Sequence, residues 1–220
     1  MTVPKQRTTL DRDRILAGAV ALADEIGMES FTMRRLAAAL DVKPMAVYHH
    51  IPSKEQIIDG MVDVVFAQIE LPPPDMDWKS AIRARCISAR DVLNRHPWAP
   101  PMMESRASPG PATLRHHDAV LGCLRRGGLS LEMTAHAYAI LDSFLYGFAL
   151  EEASLPGGGE GEIVDMADAM ATSPAMDEYP YMVEFTSQHV IKPGYSFGNS
   201  FEFGLDLIIE GLDQASSGAI

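Results

Sequence analysis

The chain has 220 residues, 47% of them apolar, and a formal net charge of −12 at pH 7, which fits a globular protein of one large domain or a small and a larger one. No apolar run is long enough to cross a membrane and the first residues lack the apolar core of a secretory signal, so we expect a cytoplasmic protein. Cys86 and Cys123 lie far apart without CxxC spacing, which argues against a disulfide framework or a thiolate metal site.

The first predicted helix lies in the segment LDRDRILAGAVALADEIG, where apolar residues recur at helical spacing. Asp11 is its expected N-cap and Gly27 its C-terminal stop. Thr32 is the expected cap of a second, short helix that ends near Asp41. Two helices and a tight turn are therefore predicted before residue 44.

A third helix, barely two turns long, is predicted at residues 44–50. Pro44 is well tolerated in its first turn, and the helix ends before Pro52 because a residue that precedes proline is disfavoured in the α region. Ser53 begins a capping box for a fourth helix. That helix is predicted to run through Ile69 and to end at the proline run PPPD.

The rest of the chain predicts a larger helical body, with no convincing strand and no internal repeat. One long helix is apolar over most of its circumference, which indicates burial on more than one side. The stretch PGGGEGE at 156–162 is predicted to be a flexible loop, and its glycines follow a helix and not a strand, which disfavours a phosphate-binding loop. The acidic connector after it has no assigned structure. The predicted helices of the body span 77–94, 111–126, 131–154 and 197–214.

The charge is distributed unevenly along the chain. Residues 1–54 hold eight Lys or Arg against six Asp or Glu, whereas residues 55–220 hold ten against twenty-four. A mildly basic piece on an acidic body is typical of a protein in which only the first piece approaches a polyanion.

The second and third helices match a helix-turn-helix, whose second helix enters the DNA major groove. Val47 and Ile51 can face inward, which leaves the other side chains of the third helix directed outward. Tyrosine and histidine can contact phosphates or base edges, and small apolar groups can contact a thymine methyl group. The outward set is Lys43, Pro44, Met45, Ala46, Tyr48, His49 and His50.

Further donors surround the third helix. Thr32 and Arg34 lie at the start of the second helix, and Lys54 lies at the start of the fourth, whose N-terminal amides also attract phosphate. The alternative is that the cations Arg34, Arg35 and Lys54 are ordinary solvated charges.

The segment MRRLAAALDVKPMAVYHHIPSKEQII resembles the signature of the tetracycline-repressor (TetR) family, with its Thr-x-Arg-x-Leu-Ala core, its Gly/Asp-Val turn and its Tyr-x-His before a lysine. The segments GLSLEMTAHAYAILDSFLYGFALEE and FEFGLDLIIEGLD are similar to the ligand domain of the tetracycline repressor itself. The resemblance implies an all-α homodimer whose C-terminal domains pair in a four-helix bundle. It implies a three-helix DNA-binding head at 1–54, a connecting helix at 55–71, and a larger helical ligand-binding and dimerisation domain at 72–220.

The resemblance also implies DNA contacts, because family contact positions fall on Thr32, Arg34, Pro44, Met45, Ala46, Tyr48, His49, His50 and Lys54. Pro44, Met45 and His49 differ from the tetracycline repressor, so its operator sequence is not transferred. At the turn, glycine is commoner than Asp41, and an aspartate there requires a left-handed backbone to avoid strain.

A ligand in the body is expected to change the spacing of the heads and to lower DNA affinity. Where the tetracycline repressor has the histidine that coordinates drug-bound magnesium, this chain has Met102, a soft thioether that suits a hard ion poorly. We therefore do not expect a tetracycline–magnesium ligand. We expect an unknown small apolar or aromatic molecule instead. The predicted ligand-binding residues are Trp98, Met102, Met103, Arg106, His117, Tyr138, Asp142, Phe144, Leu145 and Phe148.

Each predicted pocket residue has a simpler alternative, since Met and aromatic stripes at helical spacing belong to the core more often than to a pocket, and Asp142 can face a second subunit. No cofactor and no metal site is expected. The paired histidines at 49–50 and 116–117 are adjacent in helices, so their side chains diverge by about 100°.

Residues 130–153 and 197–214 are the predicted dimer interface. The alternative is that they pack within one subunit. Gly147, Ala149 and Gly204 would allow close helix approach, and the predicted apolar contacts are Leu141, Leu145, Phe201, Leu205, Ile208 and Leu212.

The favoured function is a DNA-binding transcriptional regulator, a repressor released from double-stranded operator DNA by a small-molecule ligand. An all-α enzyme or small-molecule carrier with structural N-terminal helices is the first alternative, but the chain has no HExxH, G-x-S-x-G or Walker motif. A protein-interaction module that uses the acidic surface is the second.

Overall fold

A computed structural model describes residues 9–105, 108–155, 167, 169, 176 and 178–218, and all regular structure within them is helical. No helix in this part of the chain is both long and apolar enough to cross a bilayer. A π-helical stretch, Thr186–Val190, directly follows the helix Pro180–Phe185. The helices are α1 Arg12–Ile26, α2 Met33–Ala39, α3 Pro44–His50, α4 Lys54–Phe66, α5 Trp78–Arg95, α6 Ala99–Glu104, α7 Pro111–Arg126, α8 Leu131–Ser154, α9 Pro180–Phe185 and α10 Asn199–Ser216.

The helix starts follow the predicted N-caps. The Asp11 carboxylate accepts from the Arg14 amide at 2.8 Å, and the Thr32 hydroxyl oxygen accepts from the Arg35 amide at 3.2 Å. Ser53 accepts from the Gln56 amide at 3.1 Å in the same way. Each cap satisfies an amide that has no partner inside its helix, so the predicted starts of α1, α2 and α4 are confirmed.

Two boundaries differ from the prediction. Helix α4 ends at Phe66, because the chain tightens into three-residue turns in which the Ile69 amide donates to the Phe66 carbonyl at 3.2 Å. Ile69 remains buried, so its apolar character reflects packing and not helix. Helix α9 lies in the connector for which no structure was predicted, and none of its residues is buried. The predicted loop at 156–162 lies outside the described residues.

The first three helices form the head, and α4 packs against α1, so the core lies between α1 and α4 and between α2 and α3. Ile15, Leu36, Val47 and Ile57 are each fully buried. Burying one such side chain contributes roughly 1.5–3 kcal/mol. Val47 and Ile51 both face inward, as predicted, so the short helix α3 is held by two side chains on one face.

The turn between α2 and α3 is sharp. Asp41 has φ 56°, the left-handed backbone that its position was predicted to require. Its amide donates to the Ala38 carbonyl at 3.1 Å, and the Val42 amide donates to the Ala37 carbonyl at 2.9 Å. The turn thus closes the C-terminus of α2 and sets the direction of α3.

The body consists mainly of α5, α7, α8 and α10, whose central side chains include Ile82, Leu124 and Leu205. One continuous apolar core includes residues of both the head and the body. At the surface, Arg83 of α5 pairs with Glu202 and with Asp206 of α10.

Two aspartates join α1 and α4 to the body. Asp24 of α1 accepts from the Trp98 indole N–H at 2.6 Å and lies 2.8 Å from His96 Nδ1. Asp63 of α4 accepts from both the amide and the hydroxyl of Thr113, at 2.8 and 2.9 Å, in the first turn of α7.

Most residues predicted to contact a second subunit are buried within one chain, which corrects that prediction. Their side chains already fill the space between α8, α10 and α5 and cannot form an outer surface. Gly204 allows α10 to approach Phe144 of α8, since a Cβ there would lie 2.9 Å from that ring. The buried residues are Leu141, Leu145, Ala149, Phe201, Leu205 and Leu212.

We expect Asp41→Val to lower the free energy of unfolding by about 1–2 kcal/mol, because a β-branched side chain is strained at positive φ. Asp41→Gly and Asp41→Asn should change it by less, since both residues tolerate this backbone. Urea unfolding of the three variants measures the difference. Equal stability of the valine and asparagine variants would show that the turn carries no such strain.

Candidate nucleic-acid interface and ligand cavity

The outer face of α3 is not used for packing among the described residues. Pro44, His49 and His50 are exposed, and Met45 is 76% exposed. Tyr48 is half-buried. A helix of two turns therefore displays an apolar side chain, an aromatic ring and two imidazoles to solvent, a set that suits a major groove better than a plain hydrated surface.

Donors border this face. Arg34 and Lys43 are exposed, and the Thr32 oxygen that caps α2 still has a hydroxyl proton to donate. The ammonium of Lys54 donates to the Phe31 carbonyl at 3.0 Å and lies 5.7 Å above the Phe31 ring. Lys54 therefore also fixes the chain that leads into α2.

A cavity of about 180 Å³ lies where α4 meets the start of α7, and we call it the α4–α7 cavity. It is mostly apolar, with a serine, a threonine, an aspartate and an imidazole as polar groups. Its lining residues are Asp59, Val62, Phe66, Met103, Ser108, Pro109, Gly110, Thr113 and His117.

Beside the cavity, three polar side chains meet in the centre of the body, and we call them the Arg85 cluster. Arg85, on α5, is 1% exposed and donates from Nε to His116 Nε2 at 2.9 Å. Its Nη2 donates to Asp142 Oδ1 of α8 at 3.1 Å. The cluster thus connects α5, α7 and α8 inside an otherwise apolar core.

The geometry determines the protonation of the cluster. Because the guanidinium can only donate, His116 Nε2 must be an acceptor, and a neutral ring then carries its proton on Nδ1. Burial, followed by the Arg85 charge and His117, lowers the pKa of His116 to about 3, so the ring is neutral at pH 7. Burial by itself would lower the pKa of the Arg85 guanidinium. The charge of Asp142 and other neighbours outweighs the effect of burial, so the pKa is raised.

Comparison with known proteins identifies the family. Residues 15–61 match the family model described as bacterial regulatory proteins, tetR family, and residues 71–215 match the model described as tetracyclin repressor-like, C-terminal domain. The chain belongs to the TetR family. The predicted family, the all-α fold class and the function of a DNA-binding transcriptional regulator are thereby confirmed.

Individual TetR-family relatives match over most of their length. The HTH-type transcriptional repressor DrrR1 of Streptomyces coeruleorubidus is 30% identical over 94% of this chain and 78% of its own. Tetracycline repressor protein class C of Escherichia coli is 27% identical over 93% of this chain and 91% of its own. The structure of Streptomyces coelicolor ActR in complex with actinorhodin is 27% identical, with a TM-score of 0.78, and covers 95% of this chain and 99% of its own.

Part of the predicted ligand set lies together in this TetR-family body. Met103 and His117 line the α4–α7 cavity, and the Tyr138 hydroxyl lies 2.5 Å from His117 Nδ1. Met102 is half-buried on α6, and Asp142 belongs to the Arg85 cluster.

The other members of that set lie elsewhere. Phe144 and Phe148 stack on Phe201 and Phe197 between α8 and α10, and Leu145 is fully buried. Trp98 donates to Asp24 at the junction with the head. Arg106 lies outside the described residues.

Sequence reasoning missed Arg85 and His116. A signal for Arg85 was present, because it lies three residues after Ile82 and four before Ala89 on the buried stripe of α5. A cation at such a position needs a buried partner.

Since the folded pKa of His116 lies below the ordinary value of 6.5, the unfolded chain binds a proton more readily than the folded chain between about pH 3 and 6.5. The contribution of His116 is therefore complete above pH 6.5 and is lost as the pH falls towards 3. Urea unfolding from pH 7 to 4 should show a shallower loss of stability for His116→Phe than for the wild type. A slope for His116→Phe equal to that of the wild type would contradict the assignment.

Proposed function

We propose that this chain is a ligand-responsive repressor: two heads bind operator half-sites through α3, and a small apolar or aromatic molecule in the α4–α7 cavity releases them. The observation that carries the proposal is the position of the cavity. Its walls include α4, which packs on α1 of the head and directly follows α3 in the chain, so an occupant acts on an element that is joined to α3.

The proposed DNA contacts lie on the exposed face of α3 and on the donors around it. Exposed cations and hydroxyl groups would bind phosphates and set the register, and α3 would contact base edges. The ten proposed residues are Thr32, Arg34, Lys43, Pro44, Met45, Ala46, Tyr48, His49, His50 and Lys54.

Helix α4 supports the proposed division into a head at 1–54, a connecting helix at 55–71 and a ligand-binding and dimerisation domain at 72–220. Asp63 of α4 is bonded to Thr113, and Thr113 also lines the cavity. A ligand that displaces the first turn of α7 would therefore move α4. DNA affinity falls if the ligand binds better to the displaced arrangement than to the DNA-bound one.

We propose that homodimers form through the outer faces of α8 and α10. Both helices expose large apolar side chains: Ile140 and Leu150 on α8, and Phe203 and Leu207 on α10. Gly147 has open space where a Cβ would lie, so another backbone can approach there. Exposed apolar side chains on both helices favour association.

DNA binding tests the proposal. The DNA segment upstream of the chain's own gene should bind the wild type with strong salt dependence. Combined Arg34→Ala and Tyr48→Ala should weaken binding by about 100-fold or more, since each direct contact contributes roughly 1–3 kcal/mol. Combined Arg126→Ala and Tyr181→Ala remove the same residue types from exposed positions of the body and should leave affinity unchanged. Equal affinity of the two double variants in a fluorescence-anisotropy titration would exclude the proposed interface.

Sedimentation equilibrium tests the dimer. Leu207→Glu should shift the wild-type dimer towards monomer at micromolar concentration, because it places a charge in an apolar contact. Leu114→Glu, at an exposed leucine of α7, should remain dimeric. A wild-type monomer, or a Leu207→Glu dimer of unchanged affinity, would show that these faces do not pair.

A further inference from the structure

The Arg85 cluster contains a hydrogen-bond donor that has no acceptor among the described residues. His116 is fully buried, and its Nδ1 has no hydrogen-bond partner in the described part of the chain. With Nε2 occupied by the Arg85 N–H, the free position is an N–H and not a lone pair. Leaving a buried donor unsatisfied costs stability, and a buried ion pair is rarely retained for stability alone. The cluster therefore suits a role in binding.

The imidazole that carries the unsatisfied donor lies next to the cavity. Thr113 lies three residues before His116 and four before His117, so its side chain lies between theirs on the surface of α7, and Thr113 and His117 line the α4–α7 cavity. The Phe66 ring, which forms a cavity wall, lies 5.4 Å from the His116 ring and 5.3 Å from the His117 ring, between centroids. Phe66 thus contacts both the cavity and the cluster.

The cavity is small for a ligand, because drug-sized molecules occupy roughly 300–1,000 Å³. Its volume of about 180 Å³ would increase if the Phe66 side chain turned away from His116. Such a movement would also extend the cavity towards the His116 ring, which lies 5.4 Å from the Phe66 ring between centroids. The cavity can therefore grow towards the imidazole that carries the unsatisfied donor.

The charges around the donor select the chemistry of the ligand. The Arg85 guanidinium is already paired with Asp142 at 3.1 Å, so no excess positive charge remains for an anion. A carboxylate brought close to His116 would approach Asp142, and a cation would approach Arg85, each in a poorly solvated site. A neutral oxygen can accept the hydrogen bond without adding charge.

We propose that the ligand is a neutral, largely apolar ring molecule that carries a carbonyl oxygen, and that His116 Nδ1–H donates a hydrogen bond to that oxygen. This inference rests on the ligand-responsive function proposed above and names the ligand class of that same cavity. His116 selects the ligand, while the Arg85 N–H holds the imidazole in the tautomer that can donate. Val62, Phe66 and Met103 would contact the ring.

Three probes with one ring skeleton test the proposal: 9-fluorenone has a carbonyl, fluorene has none, and fluorene-9-carboxylate carries a negative charge. Calorimetric titration of the full chain without DNA should show fluorenone binding at least about 10-fold more tightly than fluorene, the typical effect of one good buried hydrogen bond. The carboxylate should bind more weakly than both. Equal binding of fluorenone and fluorene, tighter binding of the carboxylate, or no binding of any probe would overturn the proposal.

Nuclear magnetic resonance of ¹⁵N-histidine-labelled wild-type protein tests the donor itself, without any substitution. The free protein should show one buried imidazole with its proton on Nδ1. Fluorenone should shift that proton downfield and fluorene should not. A proton on Nε2, or a signal that responds equally to both probes, would overturn the assignment.

The variant His116→Phe removes the donor and keeps a ring of similar size, so fluorenone should lose its advantage over fluorene. His189→Phe, at an exposed position outside α8, α10 and the cavity, is the matched control and should retain it. If His116→Phe is too unstable to titrate, the wild-type resonance experiment still decides the question.

Failure of this inference can be distinguished from failure of the proposed function. If fluorenone binds through His116 but does not release the upstream DNA, the ligand chemistry stands and the release mechanism is wrong. If fluorene releases DNA as well as fluorenone does, the proposed release of DNA by a ligand is retained, and the proposed selection of the ligand by His116 is wrong.

Discussion

The structure depends on α4, which packs on the head with one face and on the body with another. Its buried residues include Ile57 and Met61, and more than half of its positions face protein. At Gly60 a Cβ would lie 2.6 Å from the Leu16 side chain of α1, so α1 and α4 approach closely. Because close-packed interfaces move as units and do not deform continuously, a displacement of α4 carries α1 and α3 with it.

The Arg85 cluster lies in a core where apolar side chains of similar volume could also pack. Arg85 could be replaced by a long apolar side chain without loss of a surface contact, yet it is fully buried and bonded to two helices. The surface cation Arg83, two residues earlier, forms ion pairs that are partly exposed and contribute little. The difference between the two arginines indicates that specificity of arrangement, and not stability, explains the buried cluster.

The features of the fold that depend only on residues close together in the chain could be predicted from the sequence. Asp11, Thr32 and Ser53 cap helices because a short polar side chain reaches an unpaired amide next to it, whatever the rest of the fold does. The inward face of α3 followed from the spacing of Val47 and Ile51. Parts that depend on distant partners could not be predicted: the apolar Phe144 and Phe148 fit a ligand pocket or a core equally well, and only the position of α10 assigns them to the core. The pairing of Arg85 with His116 is equally invisible in a single sequence.

Two polar contacts hold the C-terminal part of α4, and only one of them lies at the cavity. This difference suggests how a small cavity can act on a distant helix. Just after its C-terminus the chain is tied to α5 and α1 through Gln68, His96 and Asp24, none of which lines the cavity. In its last two turns, Asp63 caps the start of α7, where the helix dipole favours a carboxylate. A ligand beside Phe66 and Thr113 would disturb the second contact and spare the first. Helix α4 would then rotate about its fixed end, and the displacement would be largest at its N-terminus, next to α3.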